Sequence, residues 1–188
     1  MVAYFKLHYP LISVSIFLSF IIVAHIFSST DYSFVKNTIS DLGAQGYNKK
    51  LIMQTGFLLF GITLSSGILL NGMSLNNALI LIYGLCVALT GIFCTKPFLH
   101  LETTHYSQLH SNLHSAFAQI AGIAFSIGIL LQWYFEKSPD IKWKHLLYFA
   151  LIISCSLAFG LIKNYQGVVQ RILYLISFWW LARYYAVN

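Results

Sequence analysis

The sequence predicts an all-α fold, a polytopic transmembrane helical bundle of six spans, and three observations carry that prediction. Hydrophobic residues make up 58% of the chain and charged residues 9%. A soluble domain carries roughly 25% charged residues, so there is too little polar material here to cover a globule in water. No charged residue interrupts the chain between Lys50 and Lys96. One span needs about 20 apolar residues, so this run holds two spans and a tight turn. Further charge-poor stretches occupy 7–30, 103–135 and 145–162, and an apolar segment follows over 168–187. Together they leave no face for water.

The first span is expected over 8–27, with Pro10 tolerated in its first turn. It resembles a signal peptide in its basic start at Lys6. It lacks a clean small-x-small cleavage site near Ala24, and we read it as a span. A long polar connection over 28–50 leads to span two at 51–70, and Asn71-Gly72 marks a turn. Span three covers 78–95 and is expected to stop at Lys96-Pro97, because the residue before proline avoids helical geometry. A second polar stretch precedes span four at 110–133. The Glu136-Lys137-Ser138-Pro139-Asp140 loop precedes span five at 143–162, and span six at 168–187 completes a single domain over 1–188.

The formal net charge of +6 invites a nucleic-acid reading. The cations sit mostly at span ends, where Lys and Arg snorkel toward headgroups, so the expected partner is the lipid bilayer and no nucleic acid. Trp133, Trp143, Trp179 and Trp180 also fall near span ends, as an interfacial aromatic belt requires. Cys86, Cys94 and Cys155 form no disulfide framework. Small residues at helical spacing, Gly56 and Gly67, Gly84 and Ala88, and Ala118, Gly122 and Ser126, are expected to mark close helix contacts.

Six spans place the first and third connections on one membrane face, which gathers Asp31, Ser40, Asp41, Glu102, His25, His100, His105, His110 and His114. Ionisable groups near hydrocarbon line a cavity or pair with each other. His110 and His114 stand about 40° apart and one turn along a helix, so both imidazoles can address one metal ion. A catalytic zinc needs a third protein ligand and an open position for water. His105, Asp41, Glu102 and His25 are the candidates, and a free carboxylate would serve as general base. Ser40 is a candidate nucleophile if a base lies beside it. The bland readings are histidines bonded to neighbouring loops and an Asp41 that caps a turn before span two. Haem is disfavoured, because two axial histidines approach from opposite sides and His110 and His114 share one helix face.

The block Asn37-Thr38-Ile39-Ser40-Asp41-Leu42-Gly43-Ala44 with Asn48, the Gly91-Ile92-Phe93 end of span three and the histidine-led span four resemble a bacterial and archaeal membrane family, domain of unknown function 998. That family often has Pro and Asp after the Phe, where this chain has Cys94, Thr95 and Lys96. The resemblance implies six spans in a prokaryotic cytoplasmic (inner) membrane and no settled activity. Ser, Asp and H-x-x-x-H together are also similar, by analogy only, to membrane zinc hydrolases related to alkaline ceramidases and adiponectin receptors. Three functions follow as expectations. One is a metal-dependent hydrolase of a lipid or amphiphile, using Zn2+ at His110, His114, His105 or Asp41. The others are a non-catalytic carrier or ligand binder, and a scaffold for partner subunits.

Overall fold

The computed structural model describes residues 2–98 and 106–185. Its helices are α1 (Val2–Ile26), α2 (Lys50–Asn71), α3 (Leu75–Ile92), α4 (Gln108–Phe135), α5 (Pro139–Leu161) and α6 (Gln166–Arg183). Two 3₁₀ turns, Ser40–Gly43 and Lys163–Tyr165, interrupt the connections. Five helices, α1 to α5, are long and apolar enough to cross a membrane. The sixth carries Gln166, Gln170, Arg171 and Arg183 and is less apolar. The protein is an all-α integral membrane protein.

Each helix packs on its neighbours in sequence, and α6 returns to α1, so the bundle closes into a ring. The outer surface is apolar: Leu11, Ile22, Leu51, Ile62, Leu85, Ile123, Leu157 and Leu175 are all exposed. The extreme case is α5, which buries only His145 and Ile152. An apolar exterior of this kind is stable only with hydrocarbon around it.

The core forms around α2, whose Met53, Phe57, Phe60, Leu64 and Ile68 are buried. Phe17 of α1 reaches into it, with ring centroids 5.1 Å from Phe57, 5.2 Å from Phe60 and 5.5 Å from Phe178. In hydrocarbon, close backbone approach replaces hydrophobic driving force. At Gly61 a Cβ would collide with the Gly84 carbonyl and Ala88, so the backbones of α2 and α3 meet there. Gly67 likewise accommodates the Tyr9 ring, and Gly56 accommodates Phe20.

Two helix ends depart from expectation for physical reasons. The third helix stops at Ile92, short of Lys96-Pro97, and Phe93 is already extended. The carbonyls at and just beyond its end find partners elsewhere: those of Thr90 and Phe93 accept from His114, and those of Cys94 and Thr95 accept from Gln45. The fifth helix begins at Pro139, inside the expected loop. Proline's fixed φ and missing N–H suit the first helical position, so it starts the helix.

The 28–49 connection folds into the bundle end, with Ile39, Leu42 and Ala44 at 1% exposure or less. This plug carries Ser40 and Asp41 and is bonded to Gln170 and Arg171 of α6.

Candidate functional site

Arg171 holds the plug in place. Its Nη1 donates to the carbonyls of Phe34 (2.9 Å), Asn37 (3.1 Å) and Gly167 (2.6 Å), and its Nη2 donates to His25 Nε2 (2.7 Å) and the Tyr32 hydroxyl (2.5 Å). The Phe34 ring lies 4.0 Å from the guanidinium carbon. Among the described residues no carboxylate pairs with Arg171, so carbonyl dipoles and a π face balance a buried cation. The acceptor nitrogen of His25 follows from its other one, which donates to the Ile21 carbonyl at 2.7 Å. Beside the clamp, the Ile39 N–H donates to Gln170 Oε1 at 2.6 Å. Tyr32 is buried enough that its phenol pKa rises to about 12 although Arg171 pulls it down.

Asp41 is turned into the plug. Thr38 N–H donates to Asp41 Oδ2 at 2.7 Å, and Asp41 N–H donates to Thr38 Oγ1 at 3.2 Å. This reciprocal pair caps the 3₁₀ turn in the manner of a capping box. Burial raises the Asp41 pKa above the ordinary carboxylate value, against the hydrogen bonds from Thr38 and Asn37.

His110 and His114 have different surroundings. His114 is 6% exposed, and its Nδ1 faces the Phe93 carbonyl at 2.8 Å and the Thr90 carbonyl at 3.2 Å. Nδ1 therefore carries the proton and Nε2 the lone pair. His110 is half-buried and packs on the Phe93 ring at 5.4 Å. Among the described residues, no three His, Cys, Asp or Glu side chains gather as a metal-binding group. His100, Glu102 and His105 lie outside the described residues.

Ser40, one residue from Asp41, lines a cavity of about 640 Å³ walled mainly by α3, α4, α5 and α6, with Phe57 of α2 at its edge. Pockets of about 300–1,000 Å³ hold drug-sized molecules. Its wall is mostly apolar, with Phe57, Val87, Phe125, Phe149, Ile152 and Leu173 prominent. Tyr83, Gln119, Gln170, Tyr174 and Ser177 bring polar groups to it. The Ala118, Gly122 and Ser126 stripe, expected to be a helix contact, is instead a wall of this cavity: a Cβ on Gly122 would meet nothing within 4 Å. Ala118, Gly122 and Ile123 on α4 and Ile153 and Ser156 on α5 line it and are exposed, so it opens toward the bilayer between these helices.

Sequence reasoning missed Gln45, Gln170 and Arg171. Gln45 ties the plug to the second polar stretch, receiving Ser107 N–H at 2.7 Å and donating to the Ser107 and Cys94 carbonyls at 2.9 and 3.2 Å. An available signal was the arginine one turn into an apolar helix, which costs too much in lipid to stand without partners.

Residues 11–186 match the family described as "Protein of unknown function (DUF998)". No curated protein and no solved structure matches the chain.

Proposed function

We propose, from the premise that this chain belongs to the DUF998 family, that it holds a lipid or other amphiphile within the bilayer, in the cavity bounded by α3 to α6. The observation that carries this reading is the cavity itself. It is large, mostly apolar, walled by a small-residue stripe that no other helix fills, and open laterally where lipid would enter. We read α6 as the sixth span: its 18 residues extend about 27 Å, close to the hydrocarbon thickness, and its return to α1 closes the ring. The membrane we take to be the prokaryotic cytoplasmic one.

The test is lipid retention. Protein purified in mild detergent is extracted, and its bound lipid is identified by mass spectrometry for wild type and Gly122→Leu. A retained amphiphile that Gly122→Leu excludes supports the reading. Equal retention by both proteins, or none by either, refutes it.

A second reading is favoured by Ser40, which lines the cavity and stands one residue from the carboxylate of Asp41. In this reading the cavity is the substrate site of a hydrolase, with Ser40 or a zinc-bound water as nucleophile. His110, His114 and His105 or Asp41 would hold the metal, which would lower the pKa of its water. Zinc content of purified protein decides it. Stoichiometric zinc lost in His110→Ala and His114→Ala supports the metal centre, and content unchanged by both removes it.

A further inference from the structure

We infer that the cavity selects an uncharged, hydrogen-bonding lipid, one bearing hydroxyl or carbonyl groups and no phosphate or carboxylate. This deepens the proposed binding function and rests on it.

The polar groups of the wall fall into two sets. The hydroxyls of Ser126 and Ser156 donate back to the carbonyls of Gly122 and Ile152, both at 2.8 Å, and Thr90 donates to Val87 at 2.7 Å. Those are satisfied within their own helices. The second set has unused capacity. Tyr83 and Ser177 are 6% and 5% exposed, face the cavity, and make no side-chain hydrogen bond among the described residues. Gln170 lines the cavity with its Oε1 taken by the Ile39 N–H, and among the described residues its NH₂ donates to no partner. Ser40 and Tyr174 also line the cavity, and among the described residues their hydroxyls make no hydrogen bond. Buried polar groups are normally paired, so unused donors at a cavity wall indicate a polar occupant.

Every one of these groups is neutral. Among the described residues lining the cavity there is no Lys, Arg, His, Asp or Glu. Arg171 follows Gln170 directly, but it does not line the cavity; its Nη groups are committed to Phe34, Asn37, Gly167, His25 and Tyr32, and its Nε is buried without a partner among the described residues. Asp41, beside Ser40, is held by Thr38. A phosphate or carboxylate would lose its water with no cation to replace it, which low-dielectric surroundings penalise heavily. A glycerol, alcohol or ketone head would instead satisfy the free hydroxyls and amide.

The experiment uses three lipids that share one oleoyl chain: 1-monooleoylglycerol, oleate and 1-oleoyl-lysophosphatidate. Each competes for radiolabelled 1-monooleoylglycerol on the full-length protein in detergent at pH 8. The neutral lipid should displace the label at least tenfold better than either anion. The Tyr83→Phe, Ser177→Ala double variant removes only two oxygens and should weaken monooleoylglycerol five- to tenfold with an unchanged melting temperature. Equal or better displacement by the anions overturns the selectivity, and so does an unchanged affinity in the double variant. Gly122→Leu separates the two layers. Anion-preferring binding that it abolishes leaves the cavity function standing and sinks only the selectivity. Binding that it does not affect, or no binding of any probe, sinks both.

Discussion

Arg171 Nη2 donates to His25 Nε2 across 2.7 Å, joining the start of α6 to the end of α1 and gripping the plug between them. The same guanidinium satisfies the carbonyls of Phe34 and Asn37. Arg171→Ala leaves those carbonyls and His25 unpaired in the interior, and hydrogen bonds to charged groups are worth about 1.5–3 kcal/mol each. We expect a loss of roughly 3–5 kcal/mol, in the range seen when a buried charged partner is removed. Arg171→Lys should recover only part of it, because an ammonium has no planar fork to span carbonyls, imidazole and phenol together. Thermal denaturation in detergent checks both. A midpoint unchanged in Arg171→Ala would mean the clamp contributes nothing.

The glycines predict substitutions of opposite sign. Gly61→Ala drives a methyl into the Gly84 carbonyl and Ala88, where backbone cannot yield, so overpacking should cost about 1–3 kcal/mol. Gly122→Ala adds its methyl to open cavity, and the gain in helix propensity should stabilise by roughly 0.5–1 kcal/mol. Melting temperatures of the two variants should therefore move in opposite directions.

That pair also shows what was legible in the sequence. The all-α membrane class followed from composition and from the length of the charge-free apolar runs, because hydrocarbon as solvent forces helices of a certain length. Small-residue spacing correctly marked Gly84 and Ala88, yet the same spacing at Ala118, Gly122 and Ser126 belongs to a cavity. A small residue permits close approach without requiring it, and only the neighbouring helix decides. For Asp41, the capping alternative describes its observed bonds to Thr38. The roles of Arg171 and Gln170 depend on residues more than 130 positions away in the chain, and no local pattern encodes such a contact.

Asp41 gives a prediction in pH. Burial raises its folded-state pKa above the unfolded value near 3.8. The folded state therefore holds the proton more tightly, and the associated stability is fully present below the unfolded pKa. It is lost as pH rises from there through the folded value. Asp41→Asn keeps an oxygen acceptor for the Thr38 N–H and cannot ionise. Its melting midpoint should fall less than that of wild type as pH is raised from about 4. Parallel slopes for the two proteins would show that Asp41 does not titrate differently on folding.

The two histidines should separate cleanly. His114 is buried with Nδ1–H directed at the carbonyls of Phe93 and Thr90, where α3 ends. His114→Ala removes that donor, strands the two carbonyls and opens a cavity, so a loss of about 2–3 kcal/mol is expected. His110 is half-buried and touches the edge of Phe93, and His110→Ala should cost less than about 1 kcal/mol. His114→Gln can keep an N–H donor near the carbonyls and should recover part of the His114→Ala loss. Hydrogen exchange at Phe93, whose N–H donates to the Leu89 carbonyl, offers a second readout. It should accelerate in His114→Ala, which unties the end of α3, and stay at the wild-type rate in His110→Ala. If both substitutions cost the same and neither changes exchange there, His114 does not fasten α3 to α4, and its burial would need another cause.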